Sequence, residues 1–194
     1  MNFSFIDLLN SARRNPKCKD ELCDMLDDAD WVRSFLERWE LGCAKAAPQD
    51  LKEMRAVMQR IIDDTTQDKR PSGDDIIRLG HAVNGSDMRY ELVPEPEGYR
   101  LKAVPVEENW SWVLQSIALP FAELLSTEDI KRLKKCDNAC CQWVFYDETK
   151  NNTRRWCSST CGSLIKVREC RKRKKECQPE DEKAHGCGAD NNEE

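Results

Sequence analysis

Six of the chain's eleven cysteines lie in one stretch, residues 136 to 175, reading CDNACCQWVFYDETKNNTRRWCSSTCGSLIKVRECRKRKK. Cys136 and Cys141 are separated by four residues and Cys157 and Cys161 by three, with fifteen residues between the pairs. Two thiolate pairs so spaced can fill the four positions of a tetrahedral ion, and zinc is the metal whose structural sites take all their ligands from cysteine and histidine. On spacing alone, either Cys140 or Cys141 can pair with Cys136. A disulfide framework is the competing chemistry, but it belongs to small exported domains. The N-terminus MNFSFIDLLNSARR places its apolar run before its basic pair, the reverse of an export signal, and no run of about 18 apolar residues exists. The expectation is a soluble cytoplasmic protein holding Zn2+ through thiolates. Cys170, Cys177, His185 and Cys187 are too irregularly spaced to make an equally convincing second site.

Charge singles out the same stretch. The chain carries a formal net charge of −5, yet residues 131 to 176 hold 14 Lys and Arg against 5 Asp and Glu, a local charge of +9. Residues 1 to 130 carry −9 and the tail from Cys177 carries −5. Such asymmetry points to a polyanionic partner. Lys166, Arg168, Arg171, Lys172, Arg173, Lys174 and Lys175 form the densest run, and Arg154 and Arg155 could widen the same surface. Neutralising phosphates releases counterions and gives affinity without base readout. A solvated helix end, its cations favoured by the C-terminal dipole, is the plainer alternative.

These residues need elements to position them. The loop 136 to 141, a strand Trp143 to Tyr146 turning through Asn151 and Asn152 into a second strand Arg154 to Trp156, and a helix starting near Cys161 would form a treble-clef-like finger. Upstream, the pattern is helical. Phe3, Phe5, Ile6, Leu8 and Leu9 make a short apolar helix bearing Asp7 and Asn10, which either bond to neighbouring backbone or a buried arginine, or line a ligand pocket. Asp30 is the expected N-cap of a second helix through Trp31, Phe35 and Trp39. Pro48 opens a long helix with Leu51, Met54, Val57, Met58, Ile61 and Ile62 at helical spacing, and Ser72 opens another ending at Asn84-Gly85. Residues 89 to 106 alternate as a β-hairpin around a Pro94 to Gly98 loop. A lone hairpin is marginal in water, so it is expected to lie on the helices. A helix from Trp110, bent or interrupted at Pro120, and a last short helix from Thr127 to Lys135 complete the body. The fold class is mostly α with a small β-hairpin (α+β): residues 1 to 130 a helical body, 131 to 176 the finger, 177 to 194 an acidic, disordered tail.

The finger resembles a known family. Trp143, Phe145 and Asp147, followed by Arg154, Arg155, Trp156, Cys157, Ser158, Cys161 and Gly162, are similar to the motif of the CGNR zinc finger. In that family a cysteine stands two residues before the tryptophan, and the resemblance therefore selects Cys141, for a ligand set of Cys136, Cys141, Cys157 and Cys161. The upstream region resembles the ABATE domain that normally precedes this finger, through its Asp7-Leu8-Leu9-Asn10 opening, its Leu51 to Ile62 helix with Arg55, and its hairpin. Asp7, Asn10 and Arg55 are then the candidate pocket. The resemblance implies a bacterial protein of a class named stress-induced transcriptional regulators. One departure stands out: Ser163 and Leu164 occupy the places of the motif's Asn and Arg, so any phosphate contact must come from other residues.

The functional reading that follows is a zinc-binding regulator whose finger contacts nucleic acid, DNA ahead of RNA, and whose body senses an effector or binds a partner. Membrane association is not expected. A protein-interaction adaptor with a purely structural zinc is the alternative, and RNA binding a variant. An enzyme is not expected, because catalytic zinc keeps an open position and His81 and His185 lie outside the finger. The tail's Glu180, Asp181 and Glu182 could compete with phosphate for the basic run.

Overall fold

A computed structural model describes residues 3–14, 22–42 and 47–176. Its elements, in chain order, are α1 (Ser4–Leu9), β1 (Ala12–Arg14), β2 (Leu22–Asp24), a 3-10 turn, α2 (Ala29–Arg38), α3 (Pro48–Thr66), α4 (Gly73–Val83), β3 (Met88–Glu95), β4 (Gly98–Pro105), α5 (Trp110–Leu125), a 3-10 helix (Glu128–Arg132), β5 (Leu133–Lys135), β6 (Val144–Tyr146) and α6 (Ser159–Glu176). Each strand pair is a separate two-stranded antiparallel ladder: β1 with β2, β3 with β4, β5 with β6. By its contacts the chain divides into two units, Met1–Cys157 and Ser158–Glu194. The acidic tail from residue 177 onward, with its phosphate-competing acids and with Cys177, His185 and Cys187 of the candidate second metal site, lies outside the described residues; Cys170 is exposed on α6.

Capping chemistry fixes most helix starts in the first unit. Asp28, rather than Asp30, caps α2, its carboxylate accepting from the backbone N–H groups of Asp30 and Trp31. Pro48 occupies the first turn of α3, where its missing N–H costs nothing. Ser72 accepts from Asp75 N to open α4, and Asn109 accepts from Trp112 N to open α5, which runs unbroken through Pro120. The apolar faces so aligned meet in one core of Phe5 and Leu8 from α1, Leu51, Met58 and Ile61 from α3, and Val113, Ile117 and Phe121 from α5, all fully enclosed. Phe5 meets Phe121 edge-on at 5.4 Å. Truncating either ring would cost about 3 to 5 kcal/mol.

Three sequence expectations are corrected. Residues 133 to 135 are not the end of a helix: they form β5, and β5 is the strand that pairs with β6, in the register Leu133↔Tyr146 and Lys135↔Val144. Arg154 to Trp156 is irregular chain: β6 takes β5 as its partner instead, and the bond from Asp147 N to Arg132 O extends that ladder. Leu133 and Val144 reach the main core, so the strands leading to the cysteines are built into the body. The long hairpin β3–β4 does not lie on the helices either. Its turn is only Pro96 and Glu97, with Glu95 facing Gly98, whose φ of 139° is open to glycine alone. Eight paired rungs carry the strands beyond the body; the base near Met88, Ala103 and Pro105 is half-buried, as are Val93, Lys102 and Val104 on the opposite face.

In the second unit, Ser158 caps α6: its hydroxyl accepts from Cys161 N at 3.3 Å and its carbonyl from Gly162 N at 3.2 Å. Ser159 to Glu176 then give an 18-residue helix, about 27 Å long.

Candidate metal centre and basic helix

The residues from 136 to 142 form a tight knuckle organised by Asn138. Its backbone carbonyl accepts from Cys141 N at 2.7 Å and Gln142 N at 3.2 Å, while its side-chain oxygen accepts from Cys140 N at 3.2 Å. Gln142 turns the chain with φ of 51°. This geometry aims Cys141 inward and leaves Cys140 exposed. The sulfurs of Cys136, Cys141, Cys157 and Cys161 all lie within 4.8 Å of one another. Cys141 Sγ and Cys157 Sγ are 3.7 Å apart, whereas a disulfide needs about 2.0 Å. A tetrahedron with metal–sulfur bonds of about 2.3 Å has an edge of about 3.8 Å, so the observed spacing is that of two ligands on one ion. The donor set is four thiols, with neither a carboxylate nor an imidazole among them. Cys157 N points at Cys136 Sγ at 3.5 Å, the kind of N–H to sulfur contact that offsets thiolate charge.

A buried polar hub supports the knuckle, and its full extent escaped the sequence reading. Asp147 is 0% exposed. Its carboxylate accepts from Lys134 Nζ at 2.7 Å, Thr149 N at 3.0 Å, Thr149 Oγ1 at 2.6 Å and Arg154 N at 2.8 Å. Burial alone would raise its pKa, but the hydrogen bonds from Lys134, Thr149 and Arg154 outweigh it and hold the group far below the ordinary carboxylate range. Lys134 Nζ also donates to the carbonyls of Asn152 and Arg154, at 2.7 and 3.2 Å. The sequence signal was present in the Asp of the tryptophan-phenylalanine motif, but Lys134 looked like one more helical cation.

The other predicted residues fall into distinct places. Arg154 lies over the Phe145 ring at 4.9 Å, and its guanidinium donates to the carbonyls of Trp156 and Cys157. Arg155 donates to Asp137 at 2.7 Å, while Asp137 N donates back to Arg155 O at 3.0 Å. Both arginines thus brace the knuckle. Lys166, Arg168, Arg171, Lys172 and Arg173 are exposed along α6, and Lys174 and Lys175 continue the same helix.

Asp7, Asn10 and Arg55 do not converge on one cavity. Asp7 accepts from Arg38 at 3.1 Å and Trp39 Nε1 at 3.0 Å. Asn10 is buried, its amide donating to Val144 O and accepting from Val144 N, both at 2.8 Å, so it pairs with β6 as a strand would. Arg55 grips Asp24 through two bonds of 2.8 and 2.5 Å and donates to Ser11 Oγ at 2.6 Å. The Arg55 bond, ahead of the cost of burial, holds the Asp24 carboxyl below its usual range. A separate cavity of about 320 Å³ opens between α3, α4 and α5, lined among others by Asp50, Met54, Arg78, His81 and Leu114. No helix among the described residues is long and apolar enough to cross a membrane.

Fold and site together define a helical domain continued by a four-cysteine, metal-holding finger. Family comparison agrees on both parts: residues 4–128 match the ABATE family, described as "Putative stress-induced transcription regulator", and residues 132–174 match the CGNR zinc finger. The chain belongs to the ABATE family. No curated protein matches it. The family boundary falls near residue 130, whereas packing carries the first unit on to Cys157.

Proposed function

We propose that this protein is a zinc-dependent transcriptional regulator of the bacterial cytoplasm that binds DNA through α6. Cys136, Cys141, Cys157 and Cys161 would hold Zn2+ as a closed, structural site, since four thiolates leave no position for substrate. The ion's part is then to fold the knuckle, and no catalytic step is assigned to it. The observation that carries the reading is the run of exposed cations on α6, Lys166, Arg168, Arg171, Lys172 and Arg173, on a helix with only Glu169 and Glu176 to oppose them. These residues contact phosphate rather than base edges, which suits affinity without sequence readout. Ser163 and Leu164, standing where the family motif has Asn and Arg, put the electrostatic weight further along the helix. The helical body takes the sensing role, and its cavity is of the size small ligands occupy.

The test is fluorescence anisotropy of a labelled DNA duplex as salt is varied. Five phosphate contacts predict a log–log slope of about −4.5 and a loss of several hundred-fold in affinity between about 50 and 200 mM salt. Absence of salt-dependent binding at micromolar protein would refute the DNA reading and favour an adaptor. A matched RNA duplex and single strand, run alongside, decide between nucleic acids.

A further inference from the structure

The hairpin β3–β4 has one face with no charge on it. Its register puts Met88 opposite Pro105, Tyr90 opposite Ala103, Leu92 opposite Leu101 and Pro94 opposite Tyr99. Because side chains alternate across a strand, these eight residues share one face, and Arg89, Glu91, Glu95, Arg100 and Lys102 take the other together with the half-buried Val93 and Val104. The charged face has its partners, with Arg89 3.0 Å from Glu91 and Arg100 2.6 Å from Glu95 inside the hairpin and Lys102 3.0 Å from Glu40 of the body. The apolar face is open: Tyr90 is 63% exposed, Leu92 64%, Tyr99 74% and Leu101 63%. With about 200 Å² for a fully exposed large side chain, these four present roughly 500 Å² of apolar surface. That is in the upper part of the range of about 300 to 600 Å² for the largest patch a monomer leaves open, and patches of that size are often functional.

We propose that this face is a self-association surface, and that its occupant is the same face of a second copy of the chain. Two observations favour a second copy. The first is area. Two such faces would bury roughly 1,000 Å² from the four large side chains alone, and Met88, Pro94, Ala103 and Pro105 bring the total past the threshold of about 1,000 Å² for a specific interface. The second is shape. Each tyrosine shares its rung with a small residue, Tyr90 with Ala103 and Tyr99 with Pro94, on either side of the central Leu92–Leu101 rung. A two-fold axis lying between the faces, along the strands or across them, therefore sets every tyrosine against Ala103 or Pro94 of the other copy and leucine against leucine. A surface complementary to itself is what a two-fold dimer requires. With no charge on the face, no like charges meet across it, despite the chain's net charge of −5.

Analytical ultracentrifugation of the full, zinc-loaded chain tests this without reference to DNA binding. The wild type should sediment as a dimer, at twice its 22.5 kDa mass, across about 5 to 100 µM, the range expected for an interface of modest area. Leu92→Asp with Leu101→Asp should be monomeric over that range, with helix content and zinc stoichiometry unchanged, because the replaced side chains point away from the body. Arg89→Ala, on the charged face, should stay dimeric. Should the double variant fail to fold, Tyr99→Lys at the exposed tip serves instead, with the same loss of dimer expected. A monomeric wild type at the highest concentration, or a folded apolar-face variant that still dimerises, overturns the proposal.

Discussion

Replacing Asn10 by alanine separates a structural brace from a ligand contact. The Asn10 amide satisfies both the N–H and the C=O of Val144 at 2.8 Å, and the residue is 4% exposed, so water cannot take over either bond. Alanine leaves two buried backbone groups unpaired, at about 1 to 3 kcal/mol each, and a combined loss of about 3 kcal/mol is the central expectation. In a chain of this size each kcal/mol moves the melting temperature by about 2 to 4 °C, giving a fall of about 6 to 12 °C. Because Val144 begins the strand that follows the Cys136–Cys141 knuckle, chelator competition should show weaker metal retention in the same variant. Asn10→Asp keeps an acceptor for Val144 N but sets a buried carboxylate against Val144 O, and should be at least as damaging. Asp7→Ala is the control: its pair with Arg38 is exposed and contributes about 1 kcal/mol or less, and the bond from the half-buried Trp39 Nε1 contributes about 1 kcal/mol, without leaving backbone unpaired. Calorimetry at saturating zinc decides the matter. An Asn10→Ala variant melting within about 1 °C of wild type would refute the brace, since even one unpaired group costs more than that.

Other consequences follow from the same geometry. Cys141→Ser should lose stoichiometric zinc by metal analysis while Cys140→Ser retains it; the reverse result would reassign the ligand. Arg154→Ala should weaken metal retention by about 10- to 100-fold, as loss of support around a ligand shell does, and leave the salt slope of DNA binding unchanged. Arg171→Ala should do the opposite, reducing that slope by about 1 at unchanged zinc content. The depressed Asp24 carboxyl adds a pH dependence of definite sign: its contribution is fully present above the ordinary aspartate pKa of about 3.9 and is lost as pH falls through the lower folded value. The thiolates protonate in acid too, so the measure is the difference between wild type and Asp24→Asn in urea midpoint, which should be constant from pH 7 to about pH 5 and shrink below about pH 4.

What was legible in the sequence divides along the range of the interaction. Ser72, Pro48 and Asn84 act on backbone within four residues, and their helices begin and end where those residue types put them. Asp28 and Asp30 both precede the α2 stripe, and only the φ of −97° and ψ of 110° at Asp28 selects it as the cap. Long-range pairing left no such mark. Nothing local to Asn10 says that its amide meets Val144, 134 residues on, and nothing local to Lys134-Lys135 says that they form a strand rather than a helix end. The alternation of Tyr90, Leu92, Leu101 and Tyr99 foretold two strands and their apolar face, yet alternation cannot say what covers a face, and the inference that the helices do was the one the fold reversed. The arginines of the finger show the same limit in charge. From composition, Arg154 and Arg155 are as cationic as Arg171 and Arg173, and a reading by charge must count all four toward phosphate. Geometry separates them, because a guanidinium already donating to two carbonyls over a phenylalanine ring, or to Asp137, must break those bonds before it can reach a phosphate. In the proposed function, phosphate contact therefore rests on α6, while the finger's own arginines brace the cysteine knuckle.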